Sequence, residues 1–439
     1  MWASRFLKDR RARASAKQTA TAIASAPTSR VESSANSQAF SVAVAELIDN
    51  LDFVFAQLDD EEEQGDLLRF HLLRLAKEIS KDQTLMQTHS DPDLIQLLVS
   101  ACRCACSVYN AKIQPGDNLM PVISRTPSAM GKVKATSIWK ADATKTLFAS
   151  IRGTASKADH MVNFNRDRED AGPTFTFPES STDIAVHGGF LACANALLPW
   201  LTQEIIRQVE LDDSLRHVVF TGHSAGGAVA AIVFLHFVCH CPDQLSNVDF
   251  SLVTFGSPPV TSIDITKQAQ RLSRTKHIMA VVNEYDLVPR IDQTYIASII
   301  SLYRSAYETS LADPTGVVSV GKTNAQDSSG SQWELPAPDF HVVGDIVVLR
   351  AKLNLGELSS AGEGDDVVDA VPTPSLDMIQ VSSSDFNRLV FFDISVHKRR
   401  IYLDRLEKIL RGRITGASKE EDATMVHLAT AAVEQDAPA

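Results

Sequence analysis

Residues 216–238 read RHVVFTGHSAGGAVAAIVFLHFV, and this stretch decides the fold. Residues 217–221 are β-branched or aromatic, which suits a buried parallel strand, and residues 225–239 form an apolar run long enough for a helix. Ser224 lies between them in the pattern G-x-S-x-G, which is typical of a nucleophile elbow. The alternative interpretation is a glycine-rich turn whose serine caps the helix. The rest of the chain has to decide between the two.

Length and composition indicate a globular protein. The chain has 439 residues, 44% of them hydrophobic, which is enough to bury a large core. A formal net charge of −12 argues against nucleic acid as a partner, because phosphate binding needs clustered basic surface. No apolar run reaches the roughly 18 residues of a transmembrane segment, and no secretion signal is recognisable. We therefore expect a cytoplasmic protein that is not secreted.

The sequence divides into four predicted regions. Their bounds are 1–38 for a disordered basic tail, 39–116 for a helical region packing on the catalytic domain, 117–412 for the catalytic domain and 413–439 for a flexible tail. Stretches near 310–332 and 355–383, rich in small polar or acidic residues, are predicted insertions. Asp91 before Pro92 predicts the start of the last helix in the helical region. The composition of residues 1–30 is also typical of a mitochondrial targeting peptide, so a mitochondrial location is the alternative.

The strand and helix signals predict an α/β fold with a mostly parallel central sheet, preceded by the α-helical N-terminal region. Residues 135–141 and 146–153 form a hairpin-like pair, and residues 277–283 are a further strand. The run LVFFDIS at 389–395 is the predicted last strand. The cysteines lie in apolar helical patterns without C-x-x-C spacing, which predicts buried reduced thiols and no metal site. No organic cofactor is expected.

Ser224 would need two partners to act as a nucleophile. A neutral imidazole must take its proton, and a carboxylate must orient that imidazole. Asp286 follows the strand at 277–283 and is the candidate carboxylate. The histidines after this aspartate are His341, His397 and His427. His397 is preferred because it follows the predicted last strand, and His341 is the reserve candidate.

Hydrolysis of an ester also creates an oxyanion, which preorganised donors must meet. The strand at 146–153 runs directly into Thr154, whose backbone N–H and hydroxyl are candidate donors. The second candidate donor is the N–H of Ala225, immediately after the candidate nucleophile. Taken alone, a Gly-Thr pair at a strand end is more often a simple turn.

With these motifs in order, residues 117–412 resemble a fungal-type, class 3 lipase of the α/β-hydrolase superfamily. The motifs that carry the resemblance are IRGT at 151–154, DHMVNF at 159–164, VHGGF at 186–190, TGHSAGGA at 221–228, LVTFGSPPV at 252–260, VVNEYDLVP at 281–289 and VHKRRIYL at 396–403. The resemblance implies a catalytic triad of Ser224, Asp286 and His397. It also implies that Thr154 and Ala225 are the oxyanion donors.

The resemblance further implies that DHMVNF lies in a lid segment over an acyl-binding pocket. The residues expected to contact substrate there are Asp159, His160, Met161, Val162 and Phe164. Family members commonly carry Trp where this chain has His160, which affects the lid, and Leu where it has Ala225, which leaves the backbone N–H intact.

The sequence thus predicts a serine esterase, a lipase that cleaves acylglycerols or related lipid esters inside the cell. Peripheral contact of residues 159–164 with a lipid surface is a further expectation, and inward packing of those residues is the alternative. Two other functions are compatible with the sequence: a catalytically silent lipase-like scaffold that binds proteins, and a thioesterase or peptidase on the same fold.

Overall fold

A computed structural model of the protein describes residues 91–109, 118–127, 134–153, 168–172, 174–177, 183–291, 294–295, 298, 336–353, 374–391 and 393–411. Its strands are β1 (Met120–Arg125), β2 (Thr136–Ala141), β3 (Thr146–Ile151), β4 (Arg168–Asp170), β5 (Ala185–His187), β6 (His217–His223), β7 (Asp249–Phe255), β8 (Thr275–Asn283), β9 (Asp345–Leu353) and β10 (Pro374–Val381). Its helices are α1 (Pro92–Ser107), α2 (Gly188–Leu211), α3 (Ala225–Cys239), α4 (Thr266–Gln270), α5 (Ser383–Phe386) and α6 (Arg399–Leu410). Short 3₁₀ turns cover Asp243–Leu245, Val288–Arg290 and Ser395–His397.

An eight-stranded sheet organises the described part of the chain, with the strand order β1-β2-β3-β6-β7-β8-β9-β10. The five central strands from β3 to β9 are parallel, and β1, β2 and β10 add antiparallel pairs at the two sides. The predicted mostly parallel sheet, the hairpin of β2 and β3, and the strand β8 are confirmed. Because parallel strands end at the same edge, the loops after β3, β6, β7 and β8 meet there.

Helices cover both faces of this sheet. Leu147, Val218 and Phe220 point to the face on which α2 and α3 pack, while their neighbours Phe148 and Val219 point to the face covered by α1 and α6. This alternation of buried residues along each strand explains why the central strands are apolar throughout. α3 is buried along nearly its whole length because it lies between the sheet and α2. None of the helices in the described residues is long and apolar enough to cross a membrane.

α1 begins where the sequence predicts it. Asp91 is the N-cap, its carboxylate accepts the N–H of Asp93 at 3.0 Å, and Pro92 is the first helical residue. The apolar side of the helix packs against α6 and the sheet. The described cysteines are free thiols, and the three on α1 are buried. The part of the predicted helical region before residue 91 lies outside the described residues.

The strand predicted at 389–395 is wrong: its described residues form a loop, apart from one isolated bridge. Side chains satisfy the backbone of this loop in place of a neighbouring strand. Arg290 Nη1 donates to Leu389 O at 2.7 Å, and the Tyr295 hydroxyl donates to Phe391 O at 2.8 Å and accepts from its N–H at 2.7 Å. An apolar run can therefore be buried without joining the sheet.

The insertion predicted near 355–383 ends earlier than expected, because β10 occupies its last part. β10 pairs with β9 over eight successive positions, from Pro374 opposite Leu353 to Val381 opposite Ile346. As an edge strand it starts with proline and carries several polar residues, so its sequence is typical of a loop. The insertion predicted near 310–332 lies outside the described residues.

Candidate active site

Ser224 forms a tight turn between β6 and α3. β6 ends at His223 and α3 begins at Ala225, so the serine alone connects strand and helix. Its backbone has φ 57° and ψ −135°, a left-handed conformation that is uncommon for residues with a side chain. The Ser224 N–H donates to Phe255 O at 2.9 Å, which fixes the turn to the end of β7. Ser224 is partly exposed between buried neighbours, so it is the residue of this turn that solvent reaches.

Glycines on both sides of the serine permit this turn. A Cβ on Gly222 would lie 2.4 Å from the carbonyl carbon of Gly226, and a Cβ on Gly226 would lie 2.2 Å from Ile151 O. The obstructing atoms belong to the backbone and cannot move aside as a flexible side chain can. Glycine is therefore required at both positions, and it lets α3 begin directly against β6 and the end of β3.

A buried carboxylate and imidazole lie beside the turn. His397 Nδ1 donates to Asp286 Oδ2 at 2.8 Å, and the side chains of the two residues are 2% and 0% exposed. With the proton on Nδ1, a neutral His397 carries its lone pair on Nε2. That is the tautomer a general base needs, and the carboxylate keeps it in place.

Gly256 brings this pair close to the serine. Its φ is 55°, and a Cβ there would lie 2.9 Å from Asp286 Oδ2 and 2.9 Å from ring atoms of His397. The residue before it, Phe255, accepts the N–H of Ser224. The absence of a side chain at 256 thus allows the His397 ring to pack on backbone adjoining the serine turn.

Both oxygens of the Asp286 carboxylate accept hydrogen bonds. Oδ1 accepts from Val288 N at 2.9 Å, and Oδ2 accepts from the Tyr402 hydroxyl at 2.5 Å as well as from His397. The same hydroxyl accepts the N–H of Asn283 at 2.9 Å. Burial, and then the charge of Asp286, raises the pKa of Tyr402 well above its usual range, so the phenol keeps its proton and remains a donor. The carboxylate therefore has one fixed orientation.

Asn283 and Asp286 also hold the loop that carries His397. Asn283 Nδ2 donates to Val396 O at 2.8 Å, directly before the histidine. Asp393 pairs with Asp286 through an isolated parallel bridge. The loop after β8 and the loop before α6 therefore form one unit around the imidazole.

His223 contacts His397 from the serine side. Its Nε2 lies 2.7 Å from His397 O, and the two ring centroids are 4.5 Å apart. Because a carbonyl can only accept, His223 must donate from Nε2. Burial, and then the charge that His397 would carry, lowers the pKa of His223 well below its usual range. His223 therefore stays neutral and does not compete with His397 for a proton.

Ala225 is suitably placed to stabilise an anion at this site. It is the first residue of α3, and N–H groups in the first turn have no acceptor within the helix. The partial positive charge of a helix N-terminus favours an anion at the same place. The described chain before Thr154 ends at Gly153, whose nitrogen would lie 2.7 Å from a Cβ on Gly226. The predicted residues outside the described part of the chain are Thr154, Asp159, His160, Met161, Val162 and Phe164.

The reserve candidate His341 lies in a different environment. Its N–H donates to Thr261 O at 2.7 Å, and the two residues form an isolated antiparallel bridge. The carboxylate of Asp286 is bonded to His397 instead. His427 lies outside the described residues. Within the ranges that the structure describes, no group of three His, Cys, Asp or Glu residues is arranged to hold a metal ion.

Sequence reasoning did not single out three residues that support this site. Tyr402 and Asn283 both lie inside motifs quoted for the family resemblance, so a polar residue within an apolar motif was the available signal. Tyr109, whose hydroxyl accepts the N–H of Gly153 at 2.9 Å, had no such signal because it lies in the helical region, 44 positions earlier in the chain.

Comparisons with known proteins relate part of this chain to lipases. A family model described as "Lipase (class 3)" matches residues 148–295. The chain is 25% identical over 191 residues to the chloroplastic phospholipase A1 PLIP1 of Arabidopsis thaliana, an alignment that covers 39% of this chain. The same alignment covers only 29% of that relative, so the chain spans less than a third of its length.

Solved structures of fungal lipases are similar to this chain at low sequence identity. The native Rhizomucor miehei lipase propeptide complex is 16% identical with a TM-score of 0.44, covering 71% of this chain and 81% of that one. The lipase of Rhizopus microsporus var. chinensis is 21% identical with a TM-score of 0.39, covering 48% and 73% respectively. The sheet confirms the predicted α/β fold. Residues 148–295, which contain Ser224, Ala225 and Asp286, match the model of the class 3 lipases, the family that the sequence resembles.

Proposed function

We propose that this protein hydrolyses carboxylic esters of lipids through a triad of Ser224, His397 and Asp286. One observation carries the proposal: a fully buried Asp286–His397 pair, joined at 2.8 Å, lies beside a serine in a strained strand-to-helix turn. Residues in uncommon backbone conformations cluster at active sites. A turn that only capped a helix would need neither this conformation nor a buried acid and base next to it.

In the first half of the proposed reaction, Ser224 Oγ attacks the ester carbonyl carbon while His397 Nε2 takes the hydroxyl proton. Asp286 stabilises the imidazolium that forms. The carbonyl oxygen becomes an oxyanion and is stabilised by the N–H of Ala225 and by Thr154. When the intermediate collapses, the bond to the alcohol oxygen breaks and His397 returns the proton to that alcohol. The acyl group remains on Ser224.

In the second half, a water molecule attacks the acyl-enzyme. His397 takes one proton from the water as its oxygen bonds to the acyl carbon, and a second oxyanion forms in the same place. Collapse releases the fatty acid and returns the proton to Ser224 Oγ. The balance is one ester and one water consumed for one alcohol and one acid, and no oxidant, reductant or metal takes part.

We infer that the substrates are acylglycerols or related membrane lipids. The family of residues 148–295 supports a lipid ester, and the Arabidopsis relative is named a phospholipase A1. That name makes the acyl ester of a glycerophospholipid the second candidate. Hydrolysis of triacylglycerol, diacylglycerol and phosphatidylcholine by the purified full chain, in mixed micelles of one composition, would rank these substrates.

A covalent probe tests the proposal without knowledge of the substrate. The full chain is treated with a fluorophosphonate and the adduct is located by mass spectrometry, with Ser224→Ala and His397→Ala as matched variants. We expect an adduct on Ser224 that disappears in Ser224→Ala and forms at least 1000-fold more slowly in His397→Ala, as for other serine triads. A folded protein that is not labelled, with or without detergent micelles, would instead be a silent scaffold.

A matched set of ester, thioester and amide substrates with one acyl chain separates the remaining alternatives. A lipase cleaves the ester with the highest kcat/KM, whereas faster cleavage of the thioester or amide would assign the protein to a thioesterase or peptidase. Lipid catabolism is the role that ester cleavage would support.

We also propose that the protein acts inside the cell and contacts lipid surfaces peripherally through residues 159–164. Liposome flotation of the full chain and of Met161→Ser tests the contact. Recovery of both proteins in the lipid-free fraction, to the same extent, would refute it. Fusion of residues 1–30 to a fluorescent reporter tests location. Diffuse fluorescence supports the cytoplasm, and accumulation in mitochondria supports targeting there; the relative's name adds chloroplasts as a third outcome.

A further inference from the structure

Tyr109 lies at the end of α1 and contacts segments of the candidate active site. It is the second residue after the helix and precedes the family-matched segment, residues 148–295, by 39 positions. Its hydroxyl accepts the N–H of Gly153 at 2.9 Å and lies 3.5 Å from His223 O, to which it donates. Burial raises the pKa of this phenol, so it keeps the proton that it donates.

The two backbone groups bonded to Tyr109, the Gly153 N–H and the His223 carbonyl, precede the two proposed oxyanion donors in the chain. Gly153 is followed by Thr154, and His223 is followed by the turn that contains Ser224 and Ala225. One hydroxyl therefore joins the end of β3 to the end of β6 at the point where both segments reach the active site. Regular strand pairing between β3 and β6 ends just before this point, at Ile151 opposite Gly222.

Packing is close where this hydroxyl meets Gly153. A Cβ on Gly153 would lie 2.4 Å from the hydroxyl oxygen, 2.7 Å from His223 O and 3.2 Å from Gly226 N. The guanidinium carbon of Arg399, two residues after His397, lies 4.5 Å from the centre of the Tyr109 ring. Tyr109 thus contacts the segments that carry the oxyanion donors, the nucleophile and the base.

We propose that Tyr109 is a positioning residue for the oxyanion hole, holding Gly153, just after the end of β3, against the serine turn that carries the N–H of Ala225. This inference rests on the proposed ester hydrolysis. The peptide group is planar, so with the Gly153 nitrogen fixed only two soft torsions separate it from the next N–H. Loss of the hydroxyl frees this anchor point and leaves a shielded N–H without its acceptor.

The proposal predicts a change specific to the transition state. In Tyr109→Phe we expect kcat to fall about tenfold with KM within about twofold, less than the roughly 100-fold or greater loss when an oxyanion donor itself is removed. A trifluoromethyl ketone, whose serine adduct bears an oxyanion, should bind about tenfold more weakly for the same reason. Active-site titration with a fluorophosphonate corrects each rate for the folded, competent fraction.

Tyr295→Phe is the matched control. The Tyr295 hydroxyl also accepts one backbone N–H and donates to one carbonyl, both of Phe391, but it has no contact with Gly153 among the described hydrogen bonds. It should lower Tm without changing the ratio of ketone affinity to KM. In Arg399→Gln the hydroxyl is retained but the cation over the ring is lost, and we expect a smaller decrease of kcat, about twofold, with KM unchanged.

Each outcome of these measurements supports or contradicts the positioning role of Tyr109. If the wild-type chain is labelled at Ser224 and Tyr109→Phe retains wild-type kcat and ketone affinity, the inference is wrong and the proposed function stands. If Tyr109→Phe lowers Tm but, like Tyr295→Phe, leaves the ratio of ketone affinity to KM unchanged, the hydroxyl has only a structural role and the inference is again wrong. If the folded wild-type chain is not labelled, both proposals are wrong.

Discussion

The serine turn and the loop that carries His397 are built in different ways. The turn lies between β6 and α3, two regular elements that adjoin in sequence, and small residues set its shape. The loop has little regular structure, and side chains from distant parts of the chain satisfy its backbone. The proposed nucleophile is thus placed by local sequence and the proposed base by long-range contacts. The two regions should therefore respond differently to mutation.

The largest expected effect is on the serine turn. Gly226→Ala places a Cβ 2.2 Å from Ile151 O, a backbone atom held within β3. Since strand and helix cannot both keep their positions, we expect a loss of about 3 kcal/mol or more in the free energy of unfolding. Urea unfolding would measure it. The control is Gly227→Ala, whose nearest contact would be 3.0 Å from the Cβ of Ser257 and which should cost much less. Equal effects of the two changes would contradict the steric explanation.

The second largest effect is expected on the loop that carries His397. Arg290 is buried, and its Nη1 donates to Phe386 O at 2.6 Å and Leu389 O at 2.7 Å. Arg290→Met keeps much of the volume but leaves two buried carbonyls without this donor, so we expect a loss of about 2 to 4 kcal/mol. Arg207→Met, at a half-exposed arginine that pairs with Glu204, should change stability much less.

Arg290→Met also tests whether the two regions respond separately. It should loosen the loop that carries His397 before the turn that carries Ser224. At a urea concentration where the variant remains folded, amide hydrogen exchange should increase in residues 386–397 and stay unchanged in α3. Uniform acceleration across both segments would mean that the loop and the turn unfold together.

A smaller effect depends on pH and concerns β6, the strand that leads to the serine. Burial, and then the charge of Lys276, lowers the pKa of His217 to about 3, and its Nε2 lies 2.7 Å from Ser251 Oγ. In the unfolded chain the pKa is about 6.5, so between these values the unfolded state binds a proton that the folded state does not. The contribution of neutral His217 to the free energy of unfolding is therefore fully present above pH 6.5. It is lost as the pH falls below that value, by up to about 1.4 kcal/mol per pH unit.

His217→Gln removes this titration and keeps a polar side chain near Ser251. Urea unfolding between pH 4.5 and 7.5 should therefore give a shallower pH dependence for the variant than for the wild type. Parallel curves for the two proteins would show that His217 is protonated in the folded state as readily as in the unfolded one.

The smallest expected effect is that of Tyr402→Phe, which removes one donor from the Asp286 carboxylate. We expect kcat to fall about threefold, because Asp286 is less firmly oriented. Tyr285→Phe is the control, since no described hydrogen bond joins the Tyr285 hydroxyl to Asp286. An identical kcat for Tyr402→Phe and wild type would contradict a positioning role.

Sequence reasoning worked where local pattern and structure coincide. The strand, turn and helix around Ser224 were predictable because each has its own periodicity and composition, and glycine is diagnostic where backbone segments touch. Asp286 was found because it follows a clear strand. His397 was chosen by its position between apolar segments, although the segment before it is a loop and not the predicted strand.

The contacts that fix the base were not predictable from sequence. Tyr402 and Asp286 are 116 positions apart, and Arg290 and Phe386 are 96 apart. Nothing in the local composition of one member indicates the other. The same limit applies to β10, whose polar residues hide a strand that only its pairing with β9 defines.

The pairing of β9 with β10 also offers a place to cut the chain into two fragments that can associate again. Ser224 and Asp286 lie before residues 354–373, and His397 lies after them. A chain cut in that interval would give one fragment with the nucleophile and the acid and a second with the base, and the eight-position ladder between the two strands would be available to reunite them. Ester cleavage would then require both fragments, so that the protein could serve as a two-part reporter of molecular proximity.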